Sequence, residues 1–321
     1  MHDAALRYFL EVVRSGSIAE ASVRLNVAAS AISRQISKLE QELGSPLFER
    51  RSRRMVPSAA GELLAQHARR TLLGEEQVIN EVRRLRGLER GLVRVGCTEG
   101  FATDFMPRAI SSFRQTYPGI AFEMHVDAPR EVTRMVRDGD ADIGLSFRFG
   151  PDKSVHVEYA SSTPLVAIMA PDHPLADRSF VTLADISAYP IGLAAKETTA
   201  RQVFDLACAA EGIVLEPVMT TNYMAGLWCF AEAAGGIIMT GRITALVRSW
   251  RFQVMAVPVK TLTTNERRYE IQTMLGRTLP DAIQAFVRHI TTQLKQVDRH
   301  GIQPPVLRQV PSRAVADDGP A

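Results

Sequence analysis

The chain has 321 residues, enough for two or three domains, and its 46% hydrophobic and 23% charged residues are ordinary for a globular protein. The net charge of +3 is unevenly placed: residues 1–91 carry 15 Lys and Arg against 11 Asp and Glu, the rest 23 against 24, so a basic excess suited to phosphates lies at the N-terminal end. No secretory signal follows Met1, no uncharged apolar run reaches about 18 residues, and Cys97, Cys208 and Cys229 lack any paired or zinc-like spacing; a membrane span, a disulfide framework and a structural metal are excluded, and the cytoplasm is the expected compartment.

Leu6, Phe9, Leu10 and Val13 recur at i, i+3, i+4 and i+7, predicting a first helix with one apolar stripe, ended by Gly16. Ser17 and Glu20 read as a capping box for a second helix, with Ala21 and Leu25 inward and a short turn at Asn26–Val27. In the third helix Ile32, Ile36, Leu39 and Leu43 share one side, while Ser30, Ser33, Arg34, Ser37 and Gln41 share the other. Short donors and one arginine suit close approach to base edges and phosphates, whereas an ordinary surface helix carries long Glu/Lys pairs. Gly44, Ser45 and Pro46 stop this helix, and Leu47 and Phe48 pack back on the core. Arg50, Arg51, Arg53 and Arg54 then form a basic hairpin, with Arg53 and Arg54 at its tip. Two helices, a tight turn and a basic wing together suit a helix laid in the major groove of DNA.

These residues resemble the winged helix-turn-helix of LysR-type transcriptional regulators. The likeness rests on LRYFLEVVRSGS in the first helix, on the spaced S-R-Q-I-x-x-L-E-x-x-L-G from Ser33 to Gly44, and on P-L-F-x-R from Pro46 to Arg50. Family members often open the recognition helix with serine and glutamine; here Ala28 and Ala29 stand there. Ala28 gives up a helix cap worth about 1 kcal/mol, and Ala29 can touch only a thymine methyl. The expected DNA-contacting set is therefore Ala29, Ser30, Ser33, Arg34, Ser37 and Lys38 with Arg50, Arg51, Arg53 and Arg54. The expected domains are a winged helix-turn-helix at 1–58, all-α apart from its wing, and a long linker helix at 59–90 opened by Ser58.

Within that linker Leu64, Ala68, Thr71, Glu75, Val78, Val82 and Leu85 recur at steps of 4 and 3, the 3.5-residue period of a coiled-coil seam. The alternative is a single amphipathic helix packed on its own domain. The resemblance implies a homodimer joined through this helix, commonly assembled as a dimer of dimers.

After Gly91 short apolar runs alternate with helices. Strands are expected at 92–97, 120–126, 141–147, 164–170, 189–194, 213–219, 236–240 and 267–275. Helices are expected from Thr103 to Thr116, Arg130 to Arg137, Thr199 to Glu211, around Ala225–Ala234, and from Pro280 to Leu294. This order predicts a largely parallel α/β arrangement with ligands at strand C-terminal ends. FRQTYPGI (113–120), GDADIGL (139–145) and HPLA (173–176) extend the resemblance to the effector-binding domain of the same regulators, which has the type 2 periplasmic-binding-protein fold. It implies an effector domain at 91–297, with subdomain I at 91–163 and 267–297 and subdomain II at 164–266. The hinge would be the two crossings near Ser162–Thr163 and Glu266–Arg267.

The candidate effector pocket comprises Thr98, Glu99 and Gly100, Ser146 and Phe147, Thr198, Thr199 and Arg201, and Asn222 and Tyr223. Hydroxyls, free amides and Arg201 suit a small carboxylate or amide; Glu99 argues for an amine on the same ligand or a weaker preference for anions. Residues 298–321, rich in Pro, Gly and charge, are expected as a disordered tail.

The expected function is a sequence-specific dimeric regulator of promoter DNA tuned by a small molecule, with RNA polymerase as a candidate further partner and no cofactor. The alternatives are an architectural DNA-binding protein without effector, and an enzyme on the periplasmic-binding-protein-like domain. No G-x-S-x-G, H-E-x-x-H, G-x-G-x-x-G or P-loop occurs, and His125, His156 and His173 stand apart.

Overall fold

The computed structural model describes residues 3–51, 54–85, 91–150, 152–233, 236–248, 251–262 and 267–299. The N-terminal module comprises α1 (Asp3–Ser15), α2 (Ile18–Leu25), α3 (Ala29–Leu43), the antiparallel pair β1 (Phe48–Arg51) and β2 (Arg54–Pro57), and α4 (Ala59–Leu85). Ala5, Leu6, Phe9 and Val12 are the buried positions of α1, while Leu10 and Val13 stay partly exposed. Ser17 caps α2 by accepting from the Glu20 amide, yet its own amide donates to Ser15 Oγ instead of closing the expected box with Glu20. Asn26, at φ 53°, turns the chain in the left-handed region that Asn tolerates.

α3 starts behind Ala28 without a side-chain cap, as an alanine there dictates. Ile32, Ile36 and Leu39 are buried against α1, but Leu43 is 45% exposed because the last turn runs past the core before Gly44 closes it. Leu47 and Phe48 re-enter that core, with Phe48 5.3 Å from the Phe9 ring. Ser58 Oγ accepts from the Gly61 amide at 3.1 Å and donates to the Pro46 carbonyl at 2.6 Å, tying the start of α4 to the end of α3. A side chain at Gly61 would collide with the Leu47 carbonyl, so only glycine fits this crossing.

The expected seam needs correction along α4. Leu64 and Ala68 lie in the N-terminal core beside Leu6 and Phe9, so they are spent within the module. Thr71 and Val78 are exposed and Glu75 half-buried; the side chains of Val82 and Leu85 lie outside the described residues.

The C-terminal module runs β3 (Gly91–Cys97), α5 (Glu99–Ala102), α6 (Phe105–Thr116), β4 (Ile120–Val126), α7 (Pro129–Asp138), β5 (Ile143–Arg148), β6 (Val155–Ser162), β7 (Leu165–Met169) and β8 (Val181–Thr182). It continues with α8 (Leu183–Ile186), β9 (Ile191–Ala194), α9 (Thr199–Glu211), β10 (Met219–Thr221), α10 (Met224–Ala233), β11 (Ile237–Gly241) and α11 (Arg242–Arg248). It ends with β12 (Met255–Lys260), β13 (Arg268–Met274) and α12 (Asp281–Arg299).

Two sheets result, ordered β4-β3-β5-β13-β6 and β10-β9-β11-β7-β12-β8. Both are mixed rather than largely parallel. β3, β4 and β5 run parallel, but β13 lies antiparallel between β5 and β6, and β7 lies antiparallel between β11 and β12. The antiparallel strands are those adjoining the passages between lobes: Thr163 N donates to Arg267 O at 2.7 Å, and Ser162 pairs with Arg268. Each lobe has its own apolar core, one around Phe101, Phe113, Tyr269 and Phe286, the other around Met169, Leu193, Phe204 and Ile237.

Three further expectations shift. The run 213–219 forms a strand only from Met219, because it lies at the sheet edge and Pro217 has no amide for a ladder. The helix expected from Thr103 begins at Phe105 and is preceded by an unexpected short helix, α5. Helix α12 continues to Arg299, and Asp298 is held by the hydroxyls of Tyr159 and Tyr269 with Arg242 3.8 Å away, so it belongs to the fold; residues 300–321 lie outside the described residues.

The modules meet along α7. Arg69 of α4 pairs with Asp138 at 3.3 Å, both largely buried, and Arg134 and Arg137 close on the same carboxylate. Burial disfavours ionisation of Asp138, but hydrogen bonding from Arg137 and the charge of Arg69 outweigh it and hold the carboxyl below its usual range.

Candidate functional site

Two surfaces carry the candidate residues. On the N-terminal module Ala29, Ser30, Ser33, Arg34, Ser37 and Lys38 all stand exposed along α3, opposite Ile32, Ile36 and Leu39. Lys38 lies 4.0 Å from Glu42, too loose to occupy it. The wing register pairs Arg51 with Arg54 across the turn, so these two flank the tip, and Arg54 is exposed. The side chains of Arg50 and Arg51, and all of Arg53, lie outside the described residues. Helix face and wing leave one basic, polar surface with the apolar side locked inward.

The second site is a cavity of ≈ 680 Å³ between the two lobes of the C-terminal module, within the range of small-molecule sites. Thr98, Glu99 and Gly100 reach it from the end of β3, Phe147 from β5, Thr198 and Thr199 from the start of α9, and Asn222 and Tyr223 from the turn before α10. The fold thus gathers eight of the ten expected residues. Ser146 is excluded: it is fully buried behind the sheet, its hydroxyl 3.5 Å from the Pro129 carbonyl. Arg201 is excluded too, since its guanidinium folds back on Asp205 at 2.7 Å and on the Ala194 carbonyl. An i, i+4 partner on its own helix outcompetes the cleft.

Glu99 also takes another role. Its Oε1 accepts from the Met224 amide at 2.9 Å, so a carboxylate of one lobe caps the first turn of α10 in the other. Burial raises its pKa, and the Met224 bond and the Arg248 charge oppose that rise. Nothing about Glu99 then requires an amine on the ligand.

The residue that sequence reasoning missed is Arg267, at the second crossing between lobes. It lines the cavity, is 6% exposed, and lays its guanidinium 3.5 Å from the Phe147 ring centroid. Nε donates to Thr199 Oγ1 at 2.7 Å, while Nη1 has no hydrogen-bond partner. Burial pulls its pKa down to about 9. A Cβ on Gly241 would strike that guanidinium, so the glycine closing β11 makes room for it. A second buried atom without a partner, Thr98 Oγ1, belongs to another residue that lines the cavity. Met124, Val126, Ala128 and Pro129 add an apolar wall. The sequence signal is weak, because an arginine pair before a strand reads as surface. A buried ion pair joins the lobes below the cavity, Arg248 to Asp104 at 3.2 Å with Arg251 on the same carboxylate.

None of His125, His156 and His173 lines the cavity: His173 Nδ1 accepts from Leu175 N in its turn, and His156 sits 3.9 Å from Glu158. Among the described residues no cluster of His, Cys, Asp and Glu has metal-holding geometry, and no helix is long and apolar enough to cross a membrane.

Comparison with known proteins gives two family matches. Residues 4–62 match the bacterial regulatory helix-turn-helix protein, lysR family, and residues 86–295 match the LysR substrate binding domain. The HTH-type transcriptional regulator AlsR of Bacillus subtilis is 30% identical over 193 residues, 60% of this chain and 64% of that protein. The match thus spans somewhat under two thirds of the relative. A full-length OxyR variant from Pseudomonas aeruginosa superposes with a TM-score of 0.65 at 18% identity, covering 94% of this chain and 98% of that one. Full-length CbnR complexed with its target DNA gives 0.51 at 20% identity, over 92% and 100%. At these identities the two structures speak for the fold.

Proposed function

Because the chain belongs to the LysR family of bacterial regulatory helix-turn-helix proteins, we propose that it is a transcriptional regulator, binding promoter DNA as a homodimer and responding to a small molecule in the interlobe cavity. The observation that carries this reading is the pairing of an outward polar face on α3 with an interlobe cavity whose lining includes a buried arginine without an ion-pair partner among the described residues, in one chain. The DNA-contacting set is Ala29, Ser30, Ser33, Arg34, Ser37 and Lys38, with Arg50, Arg51, Arg53 and Arg54 on the wing. The effector set is Thr98, Glu99, Gly100, Phe147, Thr198, Thr199, Asn222 and Tyr223, with Arg267 added and Ser146 and Arg201 removed.

Exposed Val78 on α4 supports pairing through the linker helix in its later turns, and a helix-turn-helix reads a two-fold site as a pair. Assembly as a dimer of dimers, the cytoplasm as compartment, and contact with RNA polymerase belong to the same proposal. So does the absence of catalysis, since no G-x-S-x-G, H-E-x-x-H, G-x-G-x-x-G or P-loop occurs in the sequence.

Fluorescence anisotropy with the protein's own upstream DNA tests the reading. Arg34→Ala should weaken the specific site by about 1–3 kcal/mol and unrelated DNA much less. An equal loss on both would make Arg34 a phosphate contact only, and no binding by the wild type would end the proposal.

A further inference from the structure

We propose that the effector is a small monocarboxylate with an apolar body, its charge held by Arg267. The inference rests on the cavity being the effector site. Arg267 is the one cation among the described lining residues, and no described carboxylate lies within ion-pair distance of it. A guanidinium withdrawn from water needs a counter-charge, and a carboxylate supplies it through a charge-assisted hydrogen bond. Nε is already committed to Thr199 and Nη1 is buried against Gly241, which leaves Nη2 for an incoming anion. The ring of Phe147 fixes the guanidinium plane from one side, so the group is preorganised and its rotamer entropy is already lost.

The other charged lining residues argue for one carboxylate rather than two. Glu99, Asp127 and Glu197 surround the cavity, and a second anionic group on the ligand would meet one of them. A neutral amide can accept from the arginine but leaves its charge uncompensated. Met124, Val126, Ala128 and Met224 supply an apolar bed for the remainder of the molecule.

The test uses the full-length protein, with unfolding temperature read against benzoate, hexanoate, benzamide, hexanamide and phthalate. Binding stabilises by mass action, so benzoate or hexanoate should raise the midpoint with an apparent affinity at least about tenfold above the matching amide and above phthalate. Arg267→Gln should erase the preference of acid over amide, and Arg267→Lys should keep part of it. Amides or phthalate matching the monocarboxylates, a preference that survives in Arg267→Gln, or no response to any of the five compounds overturns the assignment. If Arg267→Gln does not fold, the acid-to-amide ratio of the wild type decides alone. Operator binding by the ligand-free protein is measured in parallel: its presence leaves the regulator reading standing when the carboxylate assignment fails, and its absence fells that reading separately.

Discussion

Arg267 illustrates how a single side chain is governed by burial. An ordinary arginine remains charged throughout the accessible pH range; here the charged form is penalised in the fold, so its pKa falls to about 9 while the unfolded chain keeps the higher value. Between those values the unfolded state binds more protons, and stability contributed through this group rises with pH. The stability difference between Arg267→Met, which lacks the penalty, and the ligand-free wild type should therefore shrink as pH is raised through about 9. Chemical denaturation at pH 7 and pH 10 reads this directly; an unchanged difference would place the charge in contact with water. The cysteines follow the same logic. Burial pushes Cys97 up to about 12, and burial with Asp205 and Glu211 pushes Cys208 up to about 11, whereas Cys229 is exposed. A thiol reagent at pH 8 should label Cys229 rapidly and the other two only after denaturation. Equal labelling of all three would mean that the C-terminal core opens freely.

Elements with a strong period are legible from their residues alone. The recognition helix shows three apolar positions in step and a polar face of short side chains, and its limits follow from Gly44 and Pro46. Helix α9 runs Thr199–Glu211 as its cap at Thr198 and stop at Gly212 indicate. What escapes such reading is decided by long-range partners. Leu64 and Ala68 fit a dimer seam by spacing alone, yet they are buried because α1 lies across them. The mixed sheets follow from the two passages between lobes, which no local pattern records. Arg201 and Arg267 look alike in sequence; only the reach of Asp205 and the burial of the crossing separate them. Two predictions belong to this scale. Gly61→Ala forces α4 away from the Leu47 carbonyl and should lower the thermal midpoint of the N-terminal module by several degrees, of order 1–3 kcal/mol; circular dichroism checks it, and an unchanged midpoint would show that the crossing relaxes freely. Arg51→Ala with Arg54→Ala should reduce the slope of log affinity against log salt by about 1 for each lost phosphate contact. An unaltered slope removes the wing from the DNA interface.

In the whole molecule, the lobes are joined by Ile243 and Val247 of α11, buried in the core around Phe101 and Phe286, and by polar links: Glu99 on Met224, Asp104 with Arg248, and the paired strands around Thr163. The polar links can be exchanged without opening either lobe, which would suit the proposed effector cavity. Glu99→Ala should speed hydrogen exchange at the Met224 and Ala225 amides without unfolding either lobe. Unchanged protection there would mean that the cap contributes nothing to closure.

Helix α7 has one end in each half of this arrangement. Ala128 and Pro129 form part of the cavity wall, and ten residues later Asp138 grips Arg69 on the helix that carries the N-terminal module. At about 1.5 Å per residue that is a stiff rod of roughly 15 Å, too short to absorb a push at one tip. A ligand that displaced the start of α7 would therefore press on the α4 contact within a single subunit, before any neighbour is involved. If the proposed effector and promoter duplex both bind, thermodynamic reciprocity makes any factor that one imposes on the affinity of the other return in equal measure.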